Sequence, residues 1–193
     1  AGCVLAEFSN DKKLEGLNLS EISEEFSCSP EEAAMRLYEI SEGSFVLHSM
    51  EEQDVDTIGM SDIIAVASDG NSLRNTGPLS NGKPHPRSYG TNTRFIEDMV
   101  VNKKKVSISN AIYRMTSLPA SRIGLKNRGE IKKGYFADIN IFKPEELKEK
   151  ATYVDPHQYS VGMKYVIVNG NIALKDGEKI DGRFGKVVRT KEG

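Results

Sequence analysis

The run Asp62-Ile63-Ile64-Ala65-Val66-Ala67-Ser68-Asp69-Gly70 constrains the fold of this chain more than any other stretch. A short apolar segment of Ile, Val and Ala between polar residues predicts a strand buried on both faces, as in a parallel sheet. It stops abruptly at Ser68-Asp69-Gly70. In parallel α/β architectures, an acidic residue at the carboxyl end of such a strand stands where chemistry is carried. Asp-Gly is also among the commonest turn pairs, and on this stretch alone a turn or cap residue is the favoured reading of Asp69.

The preceding residues extend the pattern. Ser44-Phe45-Val46-Leu47-His48 predicts a second short buried strand. Ser49-Met50-Glu51-Glu52 has capping-box spacing, and the helix it opens is expected to turn Val55 and Ile58 inward. Strand, helix and strand make a βαβ unit, which implies a parallel sheet. His48 then ends its strand as Asp69 ends the next, at one rim. A lone histidine there is more often a hydrogen-bonded structural residue than a ligand.

Before that unit, Ala1-Gly2-Cys3-Val4-Leu5-Ala6-Glu7-Phe8 already reads as a strand, so the chain is expected to begin inside a fold, as an excised piece would. Asn18-Leu19-Ser20-Glu21 has capping-box spacing before apolar Ile22 and Phe26. Ser29-Pro30-Glu31-Glu32 is a stronger start: Ser29 caps, Pro30 suits the first helical position, and Glu32 reaches back. Ala33, Ala34, Leu37, Tyr38 and Ile40 form the expected buried stripe, ended by Gly43.

Residues 70–93 read as one long loop rich in Gly, Asn, Ser and Pro, and loops of that length are usually functional or disordered. This one concentrates His85, Pro86, Arg87, Ser88 and Tyr89. Arg87 is a candidate fork for a carboxylate, with an ordered Arg-Tyr surface loop as the alternative. Helical pattern resumes at Arg94–Val100, and Lys103-Lys104-Lys105 reads as a solvated helix end. Ser107 caps a helix with Ile108, Ala111, Ile112 and Met115 on its apolar face, which Leu118-Pro119-Ala120 is expected to break. From about residue 128 strands and tight turns take over. Ala137, Ile139 and Ile141 alternate with polar residues, and Asn169-Gly170 and Asp176-Gly177 are type I′ hairpin signals. Residues 151–159 read as a polar loop.

Composition narrows function mainly by exclusion. A net charge of −2 gives no field that favours nucleic acid or an anionic membrane. No apolar run approaches the roughly 18 residues that span a bilayer, and no signal peptide is recognised. Cys3 and Cys28 read as reduced thiols of a cytoplasmic protein. The three histidines, His48, His85 and His157, form no HxH or HExxH pair, so this sequence by itself assembles no histidine-rich zinc site.

The motifs in order are an SDG at a strand end, HPRSYGT, RMTSLPASRIGL, RGEIKKGYFADINIF and ATYVDPHQYSVGMKYVIVNGNIA. Together they resemble the C-terminal part of N-acyl-D-amino-acid deacylases (D-aminoacylases) of the amidohydrolase superfamily, over Ala1 to about Val188. The resemblance implies an α/β fold: the C-terminal portion of a distorted TIM-like (β/α)8 barrel plus the C-terminal strands of a small β-sandwich. Residues 1–127 would be the barrel segment, with last strands, helical insertion and active-site loop, and 128–193 the sandwich segment. Asp69 matches the family's final-strand aspartate, which contacts the zinc site and handles protons. His85, Arg87 and Tyr89 match a loop beside the active site and are the expected substrate contacts.

The resemblance further implies zinc, with most ligands upstream of this chain, and a small-molecule N-acyl amino acid as substrate. The products are a carboxylate and a D-amino acid. On this expectation the chain alone is inactive and its open sheet edges favour self-association. The alternatives are a cyclic-amide hydrolase of the dihydroorotase or hydantoinase kind, and a non-catalytic structural or interaction module.

Overall fold

A computed structural model describes residues 2–189. Ala1, part of the expected first strand, and residues 190–193, at the end of the expected second segment, lie outside the described residues. The chain forms two compact units. The first gathers the chain up to Glu52, Asp69–Gly90 and Lys150–Tyr159; the second gathers Gln53–Ser68, Thr91–Glu149 and the chain from Ser160.

In the first unit, β1 (Cys3–Phe8) pairs antiparallel with β2 (Gly43–Leu47), Val4 opposite Val46 and Leu5 opposite Phe45. Between them lie α1 (Leu19–Glu25) and α2 (Pro30–Ile40). The Asn18 side-chain oxygen accepts from the Ser20 and Glu21 amides at 2.9 and 3.1 Å, and the Glu21 carboxylate accepts from the Asn18 amide at 2.7 Å. This reciprocal cap satisfies donors that the first helical turn leaves unpaired. Ser29 caps α2 by accepting from the Glu32 amide, but the Glu32 carboxylate turns forward to Arg36 instead of back. Leu5, Phe8, Leu14, Ile22, Ala33 and Leu37 form the core. Burying a large apolar side chain contributes roughly 1.5–3 kcal/mol, so these contacts, more than the caps, hold the unit. Tyr38 and Ile40, expected in the buried stripe, are exposed.

The expected βαβ unit is not formed. The partner of β2 is β1, antiparallel, and residues 62–69 have no strand ladder. α3 (Glu52–Gly59) does form, with Val55 and Ile58 exposed instead of inward. Backbone groups of the apolar run bond elsewhere. The carbonyl of Ile63 accepts from the Arg122 guanidinium at 2.7 Å, that of Ile64 from Arg114 Nε at 2.7 Å, and the Val66 amide donates to the Arg114 carbonyl at 3.1 Å. Arginine side chains thus bond two adjacent carbonyls of this run. Ile63 is 73% exposed, so burial on both faces is not observed.

Arg114 also donates to the Gly59 carbonyl at 2.5 Å and lies over the Phe95 ring, with only 1% of its surface exposed. Burial disfavours its charged form and pulls its pKa down, while nearby Asp62 opposes this.

The long loop ends earlier than expected. α4 (Arg87–Phe95) begins within HPRSYGT and passes into a π-helical stretch, Ile96–Asn102. Ser107 caps α5 (Ile108–Met115), its Oγ accepting from the Asn110 amide. Pro119 does not break the next helix; it sits in the first turn of α6 (Ser117–Arg122), where its missing amide hydrogen costs nothing. Lys103 and Lys105 are not simply solvated: both grip the Asp56 carboxylate, at 2.7 and 2.5 Å.

The remaining strands form one antiparallel sheet in the order β3 (Ile139–Phe142), β4 (Met163–Val168), β5 (Asn171–Lys175) and β6 (Glu178–Lys179). Asn169 and Gly170 both have positive φ, as the type I′ turn requires. Asp138 holds that turn, accepting from the Asn169 amide at 2.8 Å while pairing with Arg128.

Candidate active site

Asp69 follows the apolar run and adopts a left-handed backbone, φ +47°, which Asp tolerates better than most residues. Its neighbours are packed hard against the start of α4. A Cβ added at Gly70 would lie 2.7 Å from the Cα of Ser88, so only glycine permits this approach. The Asn71 amide is 3.4 Å from Ser88 Oγ. Asp69 and Arg87 are joined twice: Arg87 Nε donates to the Asp69 carbonyl at 3.0 Å, and Nη2 meets Asp69 Oδ2 at 2.8 Å. The carboxylate remains accessible, its side chain 87% exposed.

His85 stands two residues before Arg87, the first residue of α4. Its Nδ1 accepts from the Arg87 amide at 3.0 Å, as an Asx side chain does in an Asx turn. Its Nε2 is 3.1 Å from the Tyr153 hydroxyl. The Tyr153 ring packs edge-on against both imidazoles of His48 and His85, at centroid distances of 4.4 and 5.0 Å. Tyr89, on the first turn of α4, has its hydroxyl 2.8 Å from the Arg74 carbonyl and 2.7 Å from His157 Nδ1. His157 Nε2 in turn donates to the Gly82 carbonyl at 2.9 Å. Burial raises the Tyr89 pKa, with Tyr159 adding to it, so the phenol keeps its proton near neutrality.

All four sequence-derived residues, Asp69, His85, Arg87 and Tyr89, therefore fall within the first unit, tied to one short helix start. The residues the sequence reading passed over are Tyr153 and His157, in the segment taken as a plain polar loop. The available signal was a density of ring side chains, Tyr153, His157 and Tyr159, that matches the density in HPRSY. Among the described residues no group of three or more His, Cys, Asp or Glu gathers that could hold a metal ion. Asp69 is thus a lone carboxylate, and the described residues do not fit a zinc ion by themselves.

Comparison with known proteins decides the family. The amidohydrolase family profile matches residues 77–174, which is half of the chain. The chain belongs to the amidohydrolase family. It is 34% identical to the N-acyl-D-aspartate deacylase of Alcaligenes xylosoxydans over 164 residues, 85% of this chain and 31% of that protein. It is 32% identical to the N-acyl-D-glutamate deacylase of the same organism, over 80% of this chain and 30% of that protein. Among solved structures, the N-acyl-D-glutamate deacylase of Bordetella bronchiseptica, complexed with zinc and a phosphonate mimic of the tetrahedral intermediate, superposes with a TM-score of 0.85 at 30% identity. That match covers 97% of this chain and 37% of that one. A D-aminoacylase described as having a binuclear metal centre superposes with a TM-score of 0.84 at 27% identity, over 96% and 37% of the two chains.

The chain thus spans about a third of the length of the relatives it matches. The resemblance drawn from its motifs is borne out, as is a mixed α/β fold of the D-aminoacylase kind. The expectation of zinc as the metal of such enzymes is met in the Bordetella relative.

Proposed function

We propose that this amidohydrolase is part of a zinc-dependent enzyme that deacylates N-acyl-D-amino acids to a carboxylate and a D-amino acid. The observation that carries the reading is the Asp69–Arg87 pair, an accessible carboxylate held by a fixed guanidinium at the head of α4. Asp69 is the catalytic carboxylate and a metal ligand of the site. It takes a proton from the attacking water and returns it to the departing amine nitrogen. Arg87 is the substrate contact, its planar fork suited to the carboxylate of an N-acyl amino acid. His85 and Tyr89 stand behind it in the substrate wall.

On the same reading the run 62–69 is a barrel strand whose neighbours belong to the further length that the relatives possess. Residues 1–127 are then the barrel segment and 128–193 the sandwich segment. The exposed Ile63, Leu47 and Phe45 support self-association of this chain alone. A light-scattering mass of one chain would count against that. The free thiols Cys3 and Cys28 suit a reducing, cytoplasmic setting. Among the described residues no helix is long and apolar enough to cross a membrane.

The test is zinc-supplemented hydrolysis of N-acetyl-D- against N-acetyl-L-methionine, N-acetyl-D-aspartate and hydantoin, by the longest natural polypeptide containing this chain. D-selective turnover lost in Asp69→Ala supports the proposal. Turnover of hydantoin in place of the acyl amino acids, or full activity in Asp69→Ala, overturns it.

A further inference from the structure

The Asp69–Arg87 pair is exposed, and an exposed ion pair holds its own geometry poorly, contributing about 0–1 kcal/mol. Something other than the pair must fix the guanidinium. Two anchors act on the Arg87 backbone and its supports. The Arg87 amide donates to His85 Nδ1, and His85 Nε2 meets the Tyr153 hydroxyl. A backbone amide can only donate, so His85 Nδ1 carries no hydrogen and the ring proton sits on Nε2. Nε2–H then donates to the Tyr153 oxygen. Each bond fixes the sense of the next.

We propose that Tyr153 and His85 are positioning residues, a two-member relay that sets the first residue of α4 and thereby seats Arg87 on Asp69. Tyr153 is itself fixed by its edge-on contacts with His48 and His85, so the relay ends on a held ring and not on a mobile one. His85 is then an orienting group whose ring nitrogens are both engaged by the chain. The role of the relay in catalysis rests on the proposed reading of Asp69; its role in seating Arg87 does not.

The structural arm uses this chain, with ¹⁵N-labelled histidine and arginine. Long-range ¹H–¹⁵N spectra should find His85 as the Nε2–H tautomer, with resonances assigned through single substitutions of the three histidines. Arg87 Nε–H, bonded to the Asp69 carbonyl, should exchange slowly. In Tyr153→Phe and His85→Ala its exchange should quicken by about tenfold. In His85→Asn, whose side-chain oxygen still accepts the Arg87 amide, exchange should stay close to that of the parent. Amide spectra of Tyr153→Phe and His85→Asn check that these variants fold, which keeps the test intact if His85→Ala does not. An Nδ1–H tautomer, or unchanged Arg87 Nε exchange in Tyr153→Phe, overturns the relay.

The kinetic arm uses the polypeptide that hydrolyses N-acyl-D-amino acids. There Tyr153→Phe should lower kcat/KM by about tenfold, with His85→Asn closer to the parent than His85→Ala. Altered Arg87 exchange without altered kinetics overturns the catalytic part alone, and absence of any turnover in the parent overturns the deacylase reading while the exchange result stands.

Discussion

Arg87 holds Asp69 by two different atoms, one guanidinium nitrogen on its carbonyl and another on its carboxylate. One bond reaches the backbone of a left-handed residue and the other its side chain. Because that side chain is largely in solvent, the ion pair contributes little to stability.

Asp69→Asn should therefore leave the fold almost as stable, within about 1 kcal/mol, since Asn tolerates the same backbone and the lost ion pair is exposed. Hydrolysis by the complete enzyme should fall by about 100-fold or more, the scale of a lost general acid–base group. Urea unfolding and the acyl-methionine assay on one preparation separate the two effects. A variant that loses stability and activity in proportion would reduce Asp69 to a structural residue.

Gly70→Ala acts on the same place by sterics. The added methyl would meet the Ser88 backbone, which has no flexible end to move aside. Overpacking of this kind costs about 1–3 kcal/mol. Hydrogen exchange should quicken at Asn71 and at Ser88–Gly90, while α1 and α2 remain as protected as before.

Arg114→Met should be the most destabilising single change among those considered. It removes charge-assisted bonds to the Gly59 and Ile64 carbonyls from a fully buried site. Two such bonds, with carbonyls left unpaired, amount to roughly 3 kcal/mol. The midpoint of urea unfolding reports this directly, and Arg114→Lys should recover only part of it because one ammonium does not span both carbonyls.

Acid should loosen the second unit through Asp56. Hydrogen bonds from Lys103 and then Lys105 hold its pKa below the usual carboxylate value, outweighing the opposing effect of burial. A depressed folded-state pKa contributes stability that is fully present above the unfolded value, about 3.9, and is lost as pH falls through the folded one. Asp56→Asn should therefore lower stability near neutrality and show a shallower loss below about pH 4 than the parent. Equal acid slopes in the two proteins would assign the sensitivity to other carboxylates.

Much local chemistry was legible in the sequence, though Glu32 does not reach back to Ser29 and the helix expected to open at Ser49 begins at Glu52. The Asn18–Glu21 capping box, the Ser29 and Ser107 caps and the Asn169-Gly170 turn all form as their spacing requires. Other failures depended on partners distant in sequence. Apolar content marks 62–69 as strand-like, but a strand exists only through its ladder, and here Arg114 and Arg122 bond the carbonyls instead. Val55 and Ile58 follow the helical period without a neighbour to bury them. Pro119 read as a breaker because the helix start at Thr116 carries no side-chain cap to announce it.

The site divides the same way. Asp69 and the HPRSY cluster were visible as residue types at a strand end and in a stiffened loop. The bonds that organise them reach 68 residues along the chain, from Tyr153 to His85 and from His157 to Tyr89, and no local pattern encodes such a pairing.

The Tyr89 hydroxyl lies within bonding distance of both the Arg74 carbonyl and His157 Nδ1, and it owns a single hydrogen. The Nε2 hydrogen of His157 is already given to Gly82. Three contacts therefore share two hydrogens whenever the imidazole is neutral. One contact goes unmade at any instant, and the tie between this loop and Tyr89 alternates between two arrangements. A second proton on the imidazole, at Nδ1, completes all three bonds at once, donating to the Tyr89 oxygen while the Tyr89 hydroxyl donates to the Arg74 carbonyl.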